Sequence, residues 1–446
     1  MEESDDKILV AKFGGSSLAD AEQFRKVKDI VCANTSRRYI VPSAPGKRDS
    51  DDHKVTDLLY MCHQLASHGI DSSEVFATIA DRILQIQEEL ELNDDILAEL
   101  QQIFDQIRGG ASPEFVASRG EYLSGRLLSD YLGIPFVDAA DIILFNSDGT
   151  LNVAKTEAAV REMAKTHPRA VIPGFYGAGP DGEIFTFSRG GSDVTGAVVA
   201  AGVGADLYEN WTDVSGFLQA DPRLVDSPKP IERVTYKELR ELAYMGAPVL
   251  HEEAIFPIRA QGIPIHIRNT NQRSAAGTLI VDDRTAEGFR GITGIAGRLN
   301  FTVISIEKTL MDDERGFFRK LVSVFETNGV SISHMPSGID SVSVIVPAEE
   351  IRFKLNKVLE EIRIYLHPDT ITVEDDIALL AVVGHGMIST TGVAARVFTA
   401  LAEGGVNIRM ISQGASELSI IIGIDNEAFE TAVAAIYGGP KGHSGV

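Results

Sequence analysis

Residues 185–206 read FTFSRGGSDVTGAVVAAGVGAD, and this stretch decides how the rest of the chain is interpreted. Two alternating phenylalanines predict a strand, and the turn after them places Arg189 close to Asp193 among glycines and serines. The small apolar residues that follow predict a helix buried on most of its faces, with Ser192 or Asp193 as its cap. The stretch therefore predicts a strand, a glycine turn and a buried helix.

This arrangement leaves backbone N–H groups pointing outward at the start of a helix, where the helix dipole adds partial positive charge. Arg189 offers a planar fork for a carboxylate, and Asp193 offers a partner for an ammonium group. A ligand that carries both charges on one carbon, an amino acid, suits this pair. The alternative is a capped core helix that follows a turn without a ligand, and the stretch alone leaves both interpretations open.

The composition limits the classes of partner. A length of 446 residues predicts two to four domains, and a net charge of −23 argues against nucleic acid or an anionic membrane as a partner. Cys32 and Cys62 give neither a disulfide framework nor zinc-ligand spacing, which favours a reducing compartment. Apolar runs are too short to span a bilayer, and the start MEESDDK is unlike a signal peptide, so we expect a cytoplasmic protein.

A second glycine turn follows the first predicted strand. Residues 7–13 are apolar on both faces, which predicts a central strand, and a helix is predicted over 20–32. Gly14 and Gly15 would let the backbone approach a phosphate, and Lys12 could neutralise its charge. No G-x-x-x-x-G-K-[ST] occurs, so this is not a Walker A loop, and taken alone the two glycines also fit a simple tight turn.

Polar residues also follow other predicted strands or interrupt predicted helices. Ligands bind to open α/β sheets at the carboxyl ends of the parallel strands, so polar residues there are candidate contacts. Each of them taken alone is more often an ordinary surface or capping residue. The candidates are Glu121, Thr212, Asp213 and Arg223.

Strands and helices alternate as far as residue 281, which predicts a mainly parallel sheet with helices on both faces. The apolar segments 135–138 and 142–145 are interpreted as strands. The glycines at 177, 179 and 182 match G-x-G-x-x-G, but turn residues surround them and no helix follows. We interpret this segment as a hairpin turn rather than a dinucleotide site.

An internal repeat follows the polar segment 282–297. Residues 316–325 match 392–401, and 341–346 match 417–422, at a constant offset of 76 residues. Each copy is predicted to contain a strand, a helix, two further strands and a second helix. Two copies are too few for a solenoid, so the repeat predicts a pair of modules that pack against each other.

Together these motifs resemble the aspartate kinase (aspartokinase) family over nearly the whole chain. Residues 12–17, KFGGSS, are similar to the family's opening K-F-G-G-[ST]-S, and the repeat is similar to its tandem ACT modules. The other matches occur in the family's order: Ser43-Ala44 with Thr56, Arg119-Gly120-Glu121, SRGGSD at 188–193, Trp211-Thr212-Asp213, Asp221-Pro222-Arg223, and Gly246-Ala247 with VLH at 249–251.

The resemblance implies a fold and a division into domains. An amino-acid-kinase α/β sandwich is expected over 1–285 and a linker over 286–300. Two βαββαβ ACT-type domains are expected over 301–376 and 377–438, followed by a tail over 439–446. The family associates through its ACT domains, so a homodimer or homotetramer is expected.

The implied activity is phosphorylation of the L-aspartate side chain by ATP with Mg²⁺, which gives 4-phospho-L-aspartate. Lysine and/or threonine would act as feedback effectors at the ACT domains. A carboxyl side chain has a pKa of about 4, so the nucleophile is already ionised at neutral pH and needs no general base. Catalysis then depends on holding two anions in line and neutralising their charge.

The resemblance also assigns roles to single residues. The catalytic residues are Lys12 at the transferring phosphoryl group, Arg189 at the α-carboxylate and Asp193 at the ammonium group, and no protein ligand to a metal is assigned. Further substrate contacts are Ser43, Thr56, Glu121 and Ser192. Nucleotide contacts are Lys12, Phe13, Gly14, Gly15, Thr212, Asp213, Leu218, Arg223, Pro248 and Val249. Effector contacts are Gly316, Phe317, Ser331, Ile332 and Asp340.

Two positions depart from the family's pattern. Leu218 stands where a tyrosine often lies against the nucleotide, and Pro248 replaces a lysine that reaches it. Pro248 removes a cation and an N–H group, so we expect weaker ATP binding. Two alternative functions remain open at this point: another enzyme of the same superfamily, and an amino-acid-sensing binding protein with an impaired kinase domain.

Overall fold

The computed structural model describes residues 7–93, 96–188, 190–247, 257–283 and 291–438, which form two compact units. The first unit comprises the described residues of 1–217, 230–236 and 249–286, and the second those of 218–229, 237–248 and 287–446. The first unit differs from the expected domain over 1–285 at 218–229 and 237–247, which belong to the second unit, and the expected domain bounds stay a prediction. Outside the described residues lie Arg189, Pro248, Val249 and the predicted tail 439–446.

A seven-stranded sheet forms the centre of the first unit. Its strands are β1 (Leu9–Phe13), β2 (Arg37–Pro42), β3 (Ala170–Val171), β6 (Leu207–Thr212), β9 (Arg233–Thr235), β10 (Ile265–Asn269) and β11 (Thr278–Val281). The strand order is β3-β2-β1-β6-β10-β11-β9, and every pairing in it is parallel except the antiparallel β10–β11 pair. Because β1 is buried along its whole length between β2 and β6, the prediction of a central first strand is confirmed.

Helices cover both faces of this sheet, as the alternating pattern predicts. They are α1 (Ala21–Cys32), α2 (Val55–Ser67), α3 (Ser73–Glu89), α4 (Ile96–Arg108), α5 (Pro113–Leu132), α6 (Ala139–Ile142), α7 (Val153–Thr166) and α8 (Gly191–Val203). A short 3₁₀ helix, Gly15–Leu18, follows β1. One large apolar core joins the β1 side chains Ala11 and Phe13 to helices α1–α5, while α8 packs against β1, β2 and β6.

The prediction of strands at 135–138 and 142–145 is confirmed only as isolated bridges, in which Phe136 pairs with Val171 and Leu144 with Ala178, while a helical turn that was not predicted occupies Ala139–Ile142 between them. Asp138 begins α6 as its N-cap, where its Oδ1 accepts a hydrogen bond of 3.0 Å from the Ala140 N–H. A carboxylate at that position satisfies an otherwise unpaired amide, and this favours a helical turn over an extended chain. The prediction of a hairpin is confirmed, because β4 (Tyr176–Ala178) and β5 (Ile184–Thr186) pair antiparallel.

The second unit contains a five-stranded antiparallel sheet. Its strands are β12 (Gly294–Glu307), β13 (Ser341–Pro347), β14 (Thr370–Val383), β15 (Ile408–Gln413) and β16 (Ser419–Asp425), in the order β13-β12-β14-β16-β15. Residues 218–229 also belong to this unit. Two short strands, β7 (Phe217–Leu218) and β8 (Pro230–Ile231), lie at the two ends of that segment in the sequence. Its helices are α9 (Tyr236–Tyr244), α10 (Phe317–Thr327), α11 (Ala348–Ile351), α12 (Leu355–Leu366), α13 (Val393–Glu403) and α14 (Phe429–Gly438). The first residue of α9, Tyr236, still belongs to the first unit.

Two long strands are shared by the two repeat modules. Residues 301–307 of β12 pair with 370–377 of β14, whereas 294–298 of β12 pair with 379–383 of β14. The linker expected over 286–300 is therefore wrong from Gly294 onward, where the chain supplies an extra strand to the second module. Gly297 is required there, because an added Cβ would lie 2.5 Å from the Phe429 ring and 2.7 Å from a backbone carbonyl.

The internal repeat is confirmed where it is most regular. Helices α10 and α13 begin 76 residues apart and have the same length. Gly316 and Gly392 cap them in the left-handed conformation, with φ of 83° and 86°. A side chain is strained at such angles, so glycine suits both corresponding positions.

Candidate active site

A polar cluster of Lys12, Asp193 and Asn210 lies toward the carboxyl ends of the central strands β1 and β6. Lys12 Nζ lies 2.5 Å from Asp193 Oδ1 and 3.3 Å from Asn210 Oδ1. Asn210 Nδ2 donates to the same Asp193 oxygen at 2.9 Å. Lys12 and Asn210 are register partners on β1 and β6, so the pairing of parallel strands brings them together on one face of the sheet. The predicted catalytic residues Lys12 and Asp193 thus lie in direct contact.

The start of α8 differs from the prediction. Gly190 is the N-cap, with φ of 60°, and no side chain caps the helix, so the prediction of Ser192 or Asp193 as the cap is wrong. Asp193 instead lies in the first turn and extends to Lys12. Ser192 is buried against Gly174, where an added Cβ would lie 2.6 Å from the serine Cβ and Oγ. The left-handed glycine directs the chain so that the first turn of α8 lies over the ends of the strands.

The glycine turn after β1 is fixed by backbone contacts. The Gly14 N–H donates to the Trp211 carbonyl at 2.9 Å, and the Gly46 N–H donates to the Gly15 carbonyl at 2.8 Å. An added Cβ on Gly15 would lie 2.9 Å from the Ala44 carbonyl oxygen, so this position has no room for a side chain. An added Cβ on Gly14 would lie 3.6 Å from Lys12 Nζ. Gly14 therefore leaves space directly beside the ammonium group.

The charged loop after β2 is held in place by a buried arginine. Arg82 of α3 donates to the Gly46 carbonyl at 2.9 Å and to the His53 carbonyl at 3.2 Å, and it forms an ion pair with Asp52. Burial alone would raise the pKa of Asp52, but hydrogen bonds from Arg48 and the charge of Arg82 hold that pKa well below its ordinary value. The loop is therefore an anchored element that packs on Gly15.

Two predicted substrate contacts flank this loop. Ser43 is half-buried, and its N–H donates to the Phe13 carbonyl at 3.0 Å. Thr56 is half-buried in the first turn of α2. The Phe13 side chain itself is fully buried and stacked with Trp211, with ring centroids 6.1 Å apart. The predicted nucleotide contact at Phe13 is therefore restricted to its backbone.

Glu121 is a buried carboxyl group on α5. It is 6% exposed, and its Oε2 has no hydrogen-bond partner among the residues that the structure describes. Burial raises the pKa of Glu121 to about 8, although hydrogen bonds from the backbone and the charges of Arg119 and Lys12 act in the opposite direction. The neighbouring Gly120 lets α5 approach the loop after β2, because an added Cβ would lie 2.8 Å from Ala44 Cβ. Glu121 is thus an acceptor suited to a cation.

The ends of β6 and β10 supply further polar groups at the same sheet edge. Thr212 Oγ1 donates to Asp213 Oδ1 at 3.1 Å, and the Asp213 side chain is exposed. Asn269 Nδ2 donates to the Asp213 carbonyl at 3.0 Å. The hydroxyl groups of Ser17 and Thr270 lie 2.7 Å apart, which joins the first glycine turn to the end of β10. Thr212 and Asp213 therefore belong to a hydrogen-bonded strand-end layer.

Other predicted nucleotide contacts are placed differently. Leu218 and Arg223 belong to the second unit, and Arg223, whose side chain is 84% exposed, forms an ion pair with Asp221 at 2.6 Å. Pro248 and Val249 lie outside the described residues, as does Arg189. The roles assigned to these five residues therefore stay predictions.

The predicted effector contacts lie in the second unit, where Gly316 and Phe317 begin α10 and the other three residues follow its C-terminal end in the sequence. Phe317 is buried in the core of the first module, while Ser331 and Asp340 are exposed and Ile332 is half-buried. Asp340 Oδ1 accepts a hydrogen bond of 2.8 Å from the Leu310 N–H, and the Ser331 N–H donates to Glu350 at 2.7 Å. Neither contact tests ligand binding, so the effector assignment stays a prediction.

Sequence reasoning missed Asn210 and Arg82. Asn210 belongs to no motif, and its role depends on register with a residue 198 positions earlier in the chain. A partial signal is the alternation along β6, which puts Asn210 on the face opposite to Glu209 and Trp211. Arg82 lies in a segment that reads as a solvated helix, and only the folded structure shows its buried contact with the loop after β2.

The arrangement can neutralise and orient an anion without proton transfer. Lys12 provides a buried ammonium group beside a glycine turn, and Glu121 provides an acceptor without a partner among the described residues. Such a site suits a reaction between two anions, in which charge compensation and positioning lower the barrier. Over the ranges that the structure describes, no helix combines the length and apolarity needed to cross a membrane.

Comparisons with known proteins agree with this geometry. The model of the amino acid kinase family matches residues 7–269, and an ACT domain model matches residues 380–438. Aspartokinase 3 of Bacillus subtilis (strain 168) is 38% identical over 446 residues, which cover 96% of this chain and 98% of that protein.

Two solved structures extend the comparison. The aspartate kinase of Clostridium acetobutylicum superposes with a TM-score of 0.88 at 51% identity, covering 96% of this chain and 99% of that one. Aspartokinase III of E. coli, solved in complex with aspartate and ADP, superposes with a TM-score of 0.72 at 25% identity, covering 96% and 99%. The chain therefore belongs to the amino acid kinase family, in its aspartokinase branch.

Proposed function

We propose that this chain transfers the γ-phosphoryl group of ATP to the side-chain carboxylate of L-aspartate and so forms 4-phospho-L-aspartate. The observation that carries the proposal is the Lys12–Asp193 ion pair of 2.5 Å, placed beside the open space at Gly14. Membership of the aspartokinase branch supports the choice of substrate, and the relative from E. coli was solved with aspartate and ADP.

The proposed roles follow the contacts of each side chain. Lys12 neutralises charge on the transferring phosphoryl group, and Asp193 orients Lys12 rather than binding the substrate directly. Glu121 then remains for the substrate ammonium group, because its buried Oε2 has no partner among the described residues. We retain Arg189 as the proposed contact of the α-carboxylate, and this assignment rests on the family resemblance alone.

The donors present fit a metal ion that arrives with the nucleotide. No group of three or more His, Cys, Asp or Glu side chains with metal-binding geometry occurs in the described parts of the chain. Mg²⁺ is usually bound by one or two protein carboxylates and takes its remaining ligands from phosphates and water. Bound in that way, it would supply positive charge to the phosphates of ATP. Asp213, whose carboxylate is exposed at the strand end, is the proposed neighbour.

We further propose that the second unit binds lysine or threonine as a feedback effector and joins two or four copies of the chain. The match to an ACT domain supports regulation by an amino acid, and aspartokinase III of E. coli was solved with lysine and aspartate. Isothermal titration with each amino acid tests the effector, and light scattering tests the assembly. Absence of heat from both amino acids would contradict the effector proposal.

We propose the cytoplasm as the compartment, in keeping with two cysteines, Cys32 and Cys62, that are both free. The alternative of a binding protein with an impaired kinase domain is less well supported. Lys12 and Asp193 are in contact, and a glycine turn lies beside them, with an added Cβ on Gly14 3.6 Å from Lys12 Nζ.

The decisive experiment measures ADP release from ATP and traps the acyl phosphate product with hydroxylamine. Aspartate should support both signals, whereas glutamate and carbamate should support neither. Lys12→Ala should abolish turnover with the fold retained, as checked by circular dichroism. Lys165→Ala is the matched control, because Lys165 is exposed on α7 and pairs only with Glu162 among the described residues. A folded, active Lys12→Ala variant would remove Lys12 from the mechanism.

A further inference from the structure

Asn210 is a buried polar residue in a central strand. It lies in the middle of the sheet on β6, is 4% exposed, and has Lys12 and Ile267 as its register partners on the two neighbouring strands. A buried amide that lacks partners is costly, because its hydrogen bonds to water are lost. Here the side chain meets a cation with its oxygen and an anion with its nitrogen.

We propose that Asn210 is a positioning residue for phosphoryl transfer, which sets the direction of the Lys12 ammonium group by bridging it to Asp193. The three side chains form a closed ring, in which Asp193 Oδ1 accepts from both Lys12 and Asn210 at 2.5 and 2.9 Å. Asn210 Oδ1 completes the ring by accepting from Lys12 at 3.3 Å. This inference rests on the proposed function and adds a residue to it.

The amide is the chemical group that suits this position. Its carbonyl oxygen accepts only, and its NH₂ donates only, so one side chain satisfies an ammonium group and a carboxylate at the same time. A leucine would fill the volume but leave both partners with a missing hydrogen bond. An aspartate would put a second negative charge beside Asp193, where like charges disfavour full ionisation.

The bridge also determines where the remaining N–H of Lys12 points. An ammonium group has three donors, and two of them are directed to Asp193 and Asn210. The third has no partner among the described residues, so it is available to a ligand. An added Cβ on Gly14 would lie 3.6 Å from Nζ, so the glycine keeps a side chain away from the ammonium group, and an anion seated on the turn can accept from this third N–H. Loss of the Asn210 contact would let the ammonium group rotate about its stem.

Two substitutions of similar size and one control test the proposal. Asn210→Leu removes both hydrogen bonds, and Asn210→Asp keeps the shape and changes the charge. Tyr208→Phe is the matched control, because Tyr208 lies two residues away on the same face of β6 and donates at 3.1 Å to the backbone carbonyl of Asp193 rather than to its carboxylate. Steady-state kinetics for ATP and aspartate between pH 6 and pH 9 provide the readout, with melting temperatures measured alongside.

Asn210→Leu should lower kcat by about ten- to a hundredfold with a smaller change in the KM for aspartate, because one hydrogen bond to a charged group is lost at the reacting end. Tyr208→Phe should stay within about threefold of the wild type, since it loses a neutral hydrogen bond away from the reacting groups. Equal losses in both variants would show that Asn210 acts only through stability and would overturn the proposal.

The pH profile of Asn210→Asp is decisive even if the leucine variant fails to fold. The charged groups in contact with position 210 are Lys12 and Asp193; the Tyr208 hydroxyl bonds to the Asp193 backbone carbonyl, and Glu121 interacts electrostatically with Lys12. Two adjacent carboxyl groups share a proton at low pH, where the protonated carboxyl group introduced at position 210 can donate and accept as the amide does. The activity of Asn210→Asp relative to the wild type should therefore fall as the pH is raised from 6 to 9.

The outcomes separate this inference from the proposed function. If the wild-type protein forms no acyl phosphate with aspartate, the proposed function is wrong. If the wild type is active and Asn210→Asp follows the wild-type pH profile, only the positioning role is wrong. A new descending limb in the profile of Asn210→Asp, absent from Tyr208→Phe, would support the bridge.

Discussion

The substitution Glu121→Gln tests the site most sharply, because it should stabilise the free protein while it abolishes substrate binding. Glu121 is buried in α5, and its pKa rises to about 8 from an ordinary value of 4.5. A carboxyl group with a raised pKa binds its proton more tightly in the folded state than in the unfolded state. Its contribution to stability is complete below about pH 4.5 and is lost as the pH rises through about 8.

The size of this effect follows from the difference between the two pKa values. One pKa unit corresponds to about 1.36 kcal/mol. The rise of the Glu121 pKa to about 8 therefore lowers the free energy of unfolding by at most about 5 kcal/mol between pH 4 and pH 9. The amide introduced by Glu121→Gln cannot ionise, so the variant escapes this loss. We expect its melting temperature to exceed that of the wild type by up to about 10 °C at pH 9 and to match it near pH 5.

The same ionisation should appear in substrate binding. Below pH 8 the free protein holds a proton on Glu121 that an ammonium group must displace. The dissociation constant for aspartate should therefore fall by about tenfold per pH unit from pH 6 to pH 8 and level off above it. Isothermal titration in buffers of different ionisation enthalpy should detect release of about one proton at pH 7.

Glu88→Gln is the matched control, because Glu88 is exposed on α3. It should leave both the melting profile and the aspartate affinity unchanged. If Glu121→Gln melts with the same pH dependence as the wild type, the carboxyl group is not destabilised by burial. If aspartate binds without proton release at pH 7, Glu121 is not the acceptor for its ammonium group.

Three further predictions concern the backbone around the site and the second unit. Gly15→Ala should lower the melting temperature and kcat/KM, because its methyl group would lie 2.9 Å from a carbonyl oxygen; Gly14→Ala should keep the fold and raise the KM for ATP. Arg82→Met should cost about 3 kcal/mol in urea unfolding, because the carbonyls of Gly46 and His53 lose their buried donor, although Asp52 keeps its ion pair with Arg48. Gly297→Ala should expose the second unit to limited proteolysis, since its methyl group would overlap a phenylalanine ring at 2.5 Å.

The elements that the sequence predicts well are those whose pattern is local. An uninterrupted apolar run gives β1, and equal spacing gives α10 and α13, because both signals lie within a dozen residues. In the segment 135–145 the extended ends pair as predicted only through single bridges, and the helical turn between them was missed because the capping contact of Asp138, rather than an apolar pattern, sets it. The linker is wrong from Gly294 because β12 is defined by a partner strand about 80 residues later.

The candidate site shows the same division. Motifs identify Lys12 and Asp193 as single residues, but their contact depends on α8 crossing the sheet above β1. The family motif pairs Asp193 with the ammonium group of the substrate, whereas the structure pairs this carboxylate with Lys12. The reason is physical: a lysine that is 7% exposed requires an anion close by, and a motif states nothing about which anion is nearest.

The pairing also explains how a chain of net charge −23 can hold a polyphosphate. A lone buried ammonium group would favour its neutral form, and a neutral amine would not attract phosphate. Asp193 forms an ion pair with Lys12, and Asn210 adds a hydrogen bond to it without adding charge. A second carboxylate in place of the amide would cancel the positive potential at the glycine turn. The neutral amide is therefore the group that lets a buried, ion-paired lysine still act on an anion.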